Sequence, residues 1–358
     1  MRQNSERFGT VKVNRQAPSQ LAEKTVLAWS TSSAGSNLLG AGLGYFVDSV
    51  MGEPKCFPHP VALFGSLMGR LDRKIWANSK PRGIALVAIG SAASILAAKM
   101  MGSVAAVFGR PLRMSGQARV ALVNAIATQT CISARCLHDT ALEIGSLLET
   151  GDLEAARAKL PSLVGRDPSI LDEKAIAAAV VESVAENTVD AIIAPLFWSA
   201  VGGAAAVLEH RAVNTLDSMV GYKTERYAQF GWASARLDDL ANWVPARLTA
   251  LVVVLVAGKG SEIARVLKVQ SPAHPSPNAG VAEGAFAAAL GLRLGGTIVY
   301  PHGVEERPVL GFGSFPTAGD ICRAVELSRR VGNFMAAMCL VGAGASWVTS
   351  VRSNKSVR

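Results

Sequence analysis

The sequence predicts an all-α, multi-pass membrane protein with an amphipathic helical portion on the cytosolic side. Of its 358 residues, 50% are hydrophobic and only 18% are charged, whereas about 25% are charged in an ordinary soluble domain. Several uncharged stretches approach the roughly 20 residues that a helix needs to cross a bilayer. Alternating polar and apolar residues, which would indicate strands, are scarce. Together these observations favour helices that are partly embedded in a membrane.

The N-terminal residues 1–37 are rich in Ser, Asn and Gln, and we predict a flexible extension there. The apolar run Leu38–Val47 that follows is too short to span a bilayer. It contains Gly40, Gly42 and Gly44 but precedes no βαβ unit. These glycines therefore indicate close helix packing rather than a dinucleotide site.

Three longer segments are the better candidates for membrane spans. They are the apolar core 84–98 of the stretch between Arg82 and Arg110, and the uncharged segments 191–208 and 331–351. The run 248–257 is shorter and would span only if its helix includes Arg247. The alternative is that some of these segments are buried core helices. We predict one catalytic domain over 38–351, followed by a basic tail, 352–358.

The net charge of +9 is concentrated at the two ends of the chain, because residues 1–24 and 351–358 each carry +3. Basic ends beside hydrophobic segments suit the anionic lipids of a cytoplasmic leaflet. No central basic stripe with interleaved aromatic residues is present, so nucleic acid is not an expected partner. The five cysteines form no C-x-x-C pair, which argues against a disulfide framework or a zinc site.

The stretch 115–188 is rich in Ala, Leu and Glu and is predicted to be helical and amphipathic. Asp152 is placed to cap one helix, and a second helix is predicted over 171–188. Between them, the proline after Asp167 disfavours helical geometry. We therefore expect Arg166 and Asp167 to lie in a loop that binds substrate.

An acid stripe ends this helical portion. Glu182, Glu186 and Asp190 are spaced at i, i+4 and i+8, which predicts that they share one helix face, with Asn187 beside them. No basic residue is interleaved, so the stripe needs a compensating cation or full solvation. It leads directly into the predicted span 191–208. The stripe indicates a magnesium or substrate-amine site, and the alternative is a solvated helix face.

Two further blocks mix acids, amides and bases directly after a predicted span. Their acids are candidate catalytic residues and their other polar residues are candidate substrate contacts. The acids are Asp217, Asp238 and Asp239, and the others are Asn214, Lys223, Arg226 and Arg236. Acids near bases suit a magnesium-bound phosphate. A local ion pair between Arg236 and Asp239 is the simpler interpretation.

Two histidines lie in proline-bracketed loops. His59 lies between Pro58 and Pro60, and His274 precedes a Pro-Ser-Pro sequence that leads to Asn278. Proline stiffens the backbone and lowers the entropy lost when a loop is ordered. His59, His274 and Asn278 are therefore candidate substrate contacts, although a single histidine in a turn is often structural.

The charged blocks occur in one order that resembles a known family. The blocks are Asp48…Gly52-Glu-Pro54…His59-Pro-Val61, Leu163-Val-Gly-Arg-Asp167, 181–190, Ala194-Pro-Leu-Phe197, 213–222, Ala235-Arg-Leu-Asp-Asp239, Pro245-Ala-Arg247 and His274-Pro-Ser-Pro-Asn-Ala-Gly280. Over roughly residues 38 to 345 the chain is similar to the CobD/CbiB family, the cobinamide (adenosylcobinamide-phosphate) synthases of cobalamin biosynthesis. The family has an aromatic residue after the last block, where this chain has Val281.

The resemblance implies a multi-pass protein of the plasma membrane whose active site faces the cytoplasm. It implies ATP-dependent amide formation between a propionate of (adenosyl)cobyric acid and aminopropanol or its phosphate, with ATP and Mg²⁺ as cofactors. Acids of the blocks would hold the metal, and we assign this role to Glu186, Asp190, Asp217 and Asp238. The arginines would hold phosphate. The expected partners are the corrinoid, aminopropanol (phosphate) and membrane lipid, and homo-oligomerisation is left open.

Two other classes of function fit parts of the sequence. Asp238 and Asp239 with Asn242 weakly resemble the metal-binding pairs of membrane phospho- or prenyl-transferases. A small-molecule transporter would also have polar residues among its spans. A transporter should keep those residues within the spans, however, and here they lie at the ends. ATP hydrolysis that depends on cobyric acid would distinguish the ligase from both.

Overall fold

The structure, a computed structural model, describes residues 17–52, 59–165, 167–222, 224–300 and 303–356. This part of the chain forms thirteen α-helices and one antiparallel two-stranded hairpin. In chain order these are α1 (Ala17–Met51), α2 (Pro60–Ile75), α3 (Lys80–Gly109), α4 (Gly116–Cys131), α5 (Ala134–Glu149), α6 (Leu153–Lys159), α7 (Glu173–Thr188), α8 (Ala194–Val220), α9 (Trp232–Ala241), α10 (Trp243–Ala257), α11 (Gly260–Val269), α12 (Ala279–Leu290), β1 (Leu294–Tyr300), β2 (Gly303–Leu310) and α13 (Ala318–Ser356). The predicted all-α class is confirmed.

Five helical stretches of the described residues are long and apolar enough to cross a membrane. They are Lys80–Gly109, Gly116–Glu149, Glu173–Val220, Trp232–Ala257 and Ala318–Thr349. Four of them contain all or most of the segments predicted from the sequence. This agrees with a multi-pass membrane protein.

The stretch Gly116–Glu149 differs from the prediction, which assigned it to the amphipathic portion outside the membrane. It qualifies because no charged residue lies between Arg119 and Arg135. The polar side chains of this stretch form hydrogen bonds with a neighbouring helix. Asn124 donates to the Ser199 carbonyl oxygen at 3.2 Å, and the hydroxyls of Thr128 and Ser199 lie 2.5 Å apart. Polar contacts of this kind join helices inside a bilayer.

The predicted flexible extension needs correction after residue 16, because helix α1 begins at Ala17. Residues 1–16 lie outside the described residues. The polar Ser and Asn residues near 37 are compatible with this helix because neighbouring helices bond to it. The Asn37 carbonyl oxygen accepts a hydrogen bond from Asn124 at 2.7 Å.

The glycines of α1 allow close helix packing, as predicted. A Cβ atom on Gly40 would lie 2.6 Å from the Asn124 Cβ, and one on Gly44 would lie 2.6 Å from the Thr128 Cβ. Real Cβ atoms do not approach so closely, so only glycine permits this contact between α1 and α4. On another side of α1, Gly42 lies against Leu340 of α13.

Helix α7 is the central element of the main core. It is buried almost continuously from Ile176 to Ala185 and packs against α5, α12 and α13. Its N-terminus is capped by Asp172, which accepts a hydrogen bond from the Ala175 N–H at 2.8 Å. Asp152 caps α6 in the same way, at 3.0 Å from the Ala155 nitrogen. These caps satisfy backbone donors that a helix start leaves without partners.

Two irregularities interrupt the long stretch from α7 through α8. A π-helical turn, Val189–Ile193, joins the two helices, and such turns are frequent at functional sites. Further along, Gly203 has φ 66° and ψ −156°, a conformation that L side chains rarely adopt. The π-helical turn places Asp190 just before α8, the helix that packs against α9.

A glycine of α3 generates a prediction about packing. A Cβ on Gly83 would lie 1.8 Å from the Phe230 carbonyl oxygen, whereas one on Gly102 of the same helix would meet nothing within 4 Å. We expect Gly83→Ala to lower the free energy of unfolding by about 1–3 kcal/mol or more, because α3 must move away from the segment before α9. Thermal unfolding in detergent measures this.

Gly102→Ala is the matched control for this change. It adds the same methyl group to the same helix and should leave stability unchanged or raise it by up to about 1 kcal/mol, since alanine favours helix more than glycine. Equal unfolding temperatures for the two variants would contradict the packing described.

Candidate active site

The centre of the candidate site is the side chain of Asn214 on α8. Its amide nitrogen donates to Asp190 Oδ2 at 3.2 Å and to Asp238 Oδ1 at 3.2 Å. An amide nitrogen has two N–H groups, and both are used. Asn214 therefore links the turn before α8 to helix α9 through two carboxylates.

Asn242 and His210 extend this hydrogen-bonded chain into the core. Asn242 donates to Asp238 Oδ2 at 3.1 Å, and its Oδ1 lies 2.8 Å from His210 Nε2. Because the Asn242 nitrogen donates to a carboxylate, its oxygen is left to accept, so the proton of His210 lies on Nε2. His210 is buried and thus fixes the orientation of the amide that holds Asp238.

The sequence pointed to Asn242 only in the transferase alternative, and His210 was not selected as a site residue. The signal was their spacing, because Asp238 and Asn242, like His210 and Asn214, are four residues apart and lie on one helix face. A single histidine between Glu209 and Arg211 carries no motif of its own.

Three further acids lie close to this chain. Asp217 is near enough to Asp238, Asp239 and Glu186 to interact with them electrostatically. Asp190 likewise interacts with Asp238, Glu186 and Asp217. We call these five residues the carboxylate cluster: Glu186, Asp190, Asp217, Asp238 and Asp239. Three separate segments converge here, as the sequence analysis predicted.

The end of α8 is shaped around Asp217. A Cβ on Gly221 would lie 1.9 Å from Asp217 Oδ1, so only glycine leaves room for the carboxylate over the last turn of the helix. The Gly221 N–H also bonds the Asp217 carbonyl oxygen at 2.7 Å. Gly221 therefore positions the Asp217 carboxylate and does not form a phosphate-binding loop.

Glu182 does not face the carboxylate cluster in the way that the acid stripe predicted. It is 3% exposed, and its Oε1 accepts a hydrogen bond from the Gly295 N–H at 2.8 Å, at the start of β1. Positions eight residues apart in a helix differ by about 80° in direction, and the π-helical turn before α8 changes the phase further. Glu182 therefore fixes the hairpin to α7.

Asn187 lies between the acid stripe and the loop after α6. Its amide nitrogen bonds the Ser183 carbonyl oxygen at 2.9 Å, and the Ser183 hydroxyl bonds the Leu163 carbonyl oxygen at 3.1 Å. Asp167 is outside any helix, as predicted, and accepts hydrogen bonds from the Ser169 hydroxyl and N–H at 2.7 Å and 3.0 Å. These bonds hold the pKa of the Asp167 carboxyl below its ordinary value. Arg166 lies outside the described residues.

Of the basic candidates, Arg226 contacts residues outside the carboxylate cluster. Arg226 packs over the rings of Trp76 and Tyr227 and lies 3.9 Å from Asp72. These cation–π contacts hold Arg226 near the end of α2, and its role as a phosphate contact stays a prediction. Arg236 is exposed on α9, and Lys223 lies outside the described residues.

The proline-bracketed loops have different positions. His59 precedes α2 and lines a groove between α2 and α8. His274 is buried beside Glu283, with 3.7 Å between His274 Nε2 and Glu283 Oε2, so its contacts are those of a structural histidine. Asn278 donates to the Asp239 carbonyl oxygen at 2.8 Å and accepts from Arg247 at 2.8 Å. Asn278 thus supports the end of α9 behind the cluster.

The donors of the carboxylate cluster have the chemistry that magnesium requires, since Mg²⁺ binds carboxylate oxygens together with water and phosphate. Within the described ranges, no group of three or more His, Cys, Asp or Glu side chains is already arranged around a metal position. Because Mg²⁺ usually takes only one or two carboxylates from a protein, the donor set fits the ion when phosphate and water complete its shell.

Comparison with known proteins identifies the family. A family model described as "CobD/Cbib protein" matches residues 41–328. The chain belongs to the CobD/CbiB family. That match includes every member of the carboxylate cluster, as well as Asn214, His210 and Asn242.

Several CobD/CbiB relatives are similar over most of their length. A "Cobalamin biosynthesis protein CobD" of Mycobacterium tuberculosis is 43% identical over 297 residues, which are 82% of this chain and 91% of the relative. Proteins of the same name from Pelobacter propionicus and Rhodobacter capsulatus are 44% and 39% identical, over 72% and 82% of this chain and 80% and 93% of the relatives. No solved structure matches.

The hydrogen bonds of Asn214 generate a prediction about stability. Asn214→Leu keeps much of the volume but removes both bonds to carboxylates, each worth about 1.5–3 kcal/mol. We expect the free energy of unfolding to fall by about 3 kcal/mol or more. Denaturant unfolding in detergent measures the loss.

Thr249→Val is the control, because the buried Thr249 hydroxyl bonds only a carbonyl of its own helix, Pro245, at 2.9 Å. It should cost clearly less than Asn214→Leu. If the two variants unfold alike, Asn214 does not hold the cluster together.

Proposed function

We propose that this chain acts in cobalamin biosynthesis as an ATP-dependent acid–amine ligase. It joins (adenosyl)cobyric acid to aminopropanol or aminopropanol phosphate and yields cobinamide or its phosphate. The observation that carries the proposal is the convergence of five carboxylates from three blocks of the CobD/CbiB match. The names of the relatives support the pathway, and the chemistry below supports the reaction type.

The first step activates the corrinoid carboxylate. A carboxylate oxygen attacks a phosphorus atom of ATP, and either ADP leaves, giving an acyl phosphate, or pyrophosphate leaves, giving an adenylate. Negative charge accumulates on the phosphate oxygens during this step. Glu186, Asp190, Asp217 and Asp238 are the residues that would hold Mg²⁺, which when bound would neutralise that charge.

The second step forms the amide. The neutral amine of aminopropanol attacks the activated acyl carbon, the C–N bond forms, and phosphate or AMP leaves with the electrons of the broken C–O bond. The amine nitrogen must lose a proton, and a carboxylate within hydrogen-bond reach accepts it. Asp239 is our candidate for this base, because the Asn278 amide fixes its backbone at the end of α9.

The carboxylate cluster also suits the amine before it reacts. An alkylammonium ion is positive at neutral pH, and closely spaced carboxylates attract such a cation. Exposed Glu186 lies at the outer side of the cluster, whereas Asp190, Asp217 and Asp238 are half-buried. We infer that Glu186 meets the incoming cation first.

We further propose that the protein lies in the plasma membrane with the carboxylate cluster facing the cytoplasm. The basic tails suit the anionic lipids of that leaflet, and the reaction consumes ATP, which the cytoplasm supplies. Labelling of single cysteines introduced beside α9 in intact cells and in inverted vesicles tests this orientation.

One assay separates the proposal from its alternatives. Purified protein in detergent is given cobyric acid, aminopropanol or its phosphate, ATP and Mg²⁺, and the corrinoid product is identified by mass spectrometry. The ligase converts ATP only when the corrinoid is present, and the amide product requires the amine as well. A phospho- or prenyl-transferase would modify the amine or a lipid without a corrinoid, and a transporter would yield no amide. Either result would overturn the proposal.

Glu186→Gln tests the role of the cluster. This change keeps the size of the side chain and removes its charge. A lost charged contact in an activated state costs about 2–4 kcal/mol, so we expect kcat to fall roughly a hundredfold. More Mg²⁺ should be needed for half-maximal rate, and the unfolding temperature should change little because Glu186 is exposed.

Glu149→Gln is the matched control, since Glu149 is exposed at the end of α5. It should retain the normal rate and magnesium dependence. Near-normal turnover of the Glu186→Gln enzyme would mean that Glu186 belongs to a solvated helix face and not to the site.

A further inference from the structure

A groove between α2 and α8 lies next to the carboxylate cluster but has the opposite charge. Its volume is about 740 Å³, within the range of small-molecule sites. The residues that line it include three arginines and no acid: His59, Val61, Ala62, Gly65, Ser66, Gly69, Arg70, Arg73, Arg211, Thr215, Ser218 and Met219. A cavity with this lining attracts an anion.

The sequence of α2 keeps the groove open. Gly65 and Gly69 are one turn apart and face α8, where a Cβ on either would lie within 3.5–3.9 Å of Thr215 or Met219 side-chain atoms. Larger side chains at these positions would fill the space. Arg70 and Arg73 are exposed on the same helix and border the groove.

Arg211 supplies the observation that points to a ligand. It lies on α8, inside a stretch apolar enough to span a membrane. Its Nε is buried and has no hydrogen-bond partner within the part of the chain that the structure describes. A buried donor of a charged group is costly without a partner. An anion in the groove would compensate the charge of this guanidinium, whose Nε itself is covered by protein.

The groove and the carboxylate cluster are built on neighbouring faces of α8. Arg211, Thr215 and Ser218 line the groove, whereas Asn214 and Asp217 belong to the cluster side. The two faces are about 100° apart on the helix. Because a helix with its side chains is only about 10–12 Å across, one extended ligand can reach from one face to the other.

We propose that this groove binds the phosphate group of a phosphorylated substrate, with Arg70, Arg73 and Arg211 as the anion contacts. Guanidinium groups match phosphate oxygens in paired hydrogen bonds, and Ser66 and Ser218 add hydroxyl donors nearby. The inference rests on the proposed function for the identity of the substrate. The phosphate belongs either to the phosphorylated amine or to the nucleotide, and the test separates these sources.

The first measurement is binding without turnover. Inorganic phosphate and aminopropanol phosphate are titrated into the detergent-solubilised protein, and stabilisation against thermal unfolding is recorded, since a ligand that binds the folded state stabilises it. We expect Arg70→Ala and Arg73→Ala to weaken the apparent affinity roughly ten- to a hundredfold. Arg73→Lys keeps the charge but not the planar fork and should lose less.

Lys74→Ala is the matched control, because Lys74 is exposed on the same helix but does not line the groove. It removes the same charge and should leave phosphate binding unchanged. If it weakens binding as much as Arg73→Ala does, the effect is one of general charge and the proposal is wrong.

The second measurement is the KM of each substrate in the ligase assay. If the groove holds the phosphate of the amine, Arg73→Ala raises the KM for aminopropanol phosphate and leaves that for aminopropanol unchanged. If it holds the nucleotide, the KM for ATP rises with either amine. Both results support a phosphate site. Unchanged KM values together with unchanged phosphate binding would overturn it.

Two further outcomes distinguish a substrate-phosphate groove from the ligase reaction itself and from a lipid site. In the first outcome, the unaltered protein forms no amide, phosphate still stabilises it against unfolding, and phosphate does not stabilise the arginine variants. This outcome would reject the proposed function and keep the groove as a phosphate site. In the second outcome, phosphatidylglycerol vesicles stabilise the protein more than phosphatidylcholine vesicles do, whereas phosphate and aminopropanol phosphate do not stabilise it. This outcome would identify a lipid site and reject the groove as a substrate site.

Discussion

Mutual repulsion among carboxylates is the constraint around which this structure is organised. Asp190 and Asp238 come from segments that are 48 residues apart in sequence, and the amide of Asn214 donates one N–H to each of them. Without those donors, two negative groups in a largely apolar bundle would separate or lose their charge. The bond from Asn242, oriented by His210, fixes the second oxygen of Asp238. Three helical segments, the π-helical turn before α8, α8 and α9, therefore depend on a few polar side chains.

The backbone provides the geometry that this arrangement needs. The π-helical turn at Val189–Ile193 sets the direction of Asp190 relative to α8. At the other end of α8, the absence of a side chain on Gly221 makes room for the Asp217 carboxylate. The buried helix α7 anchors the π-helical turn to the main core, whereas the end of α8 packs in a second cluster that includes Leu216 and Val220. Rigid elements of this kind hold reactive groups more accurately than loops do.

Local rules predicted much of this structure. The cap Asp152, the helix packing of Gly40 and Gly44, and most of the long apolar segments follow from a few neighbouring residues. The convergence of the acidic blocks followed from the charge pattern and the family resemblance. Glu182 was misplaced because its direction depends on helix phase and on the hairpin partner Gly295. Arg226 packs against Trp76 and Tyr227, and Trp76 is 150 residues distant in sequence. Short-range patterns contain no information about such a contact.

Helix α8 separates opposite charges by its own thickness. Arg211 and Asp217 are close in sequence, yet direct pairing would neutralise both and leave neither for a substrate. Their different helix faces, and the donors that occupy Asp190 and Asp238, keep the cation groove and the carboxylate cluster apart. The ligase reaction proposed above, which would activate one acid with a phosphorylated reagent and then take up a cationic amine, would need sites of both signs within one ligand length. The arrangement of polar residues around α8 meets that requirement with one helix and the two segments, α2 and α9, that pack against it.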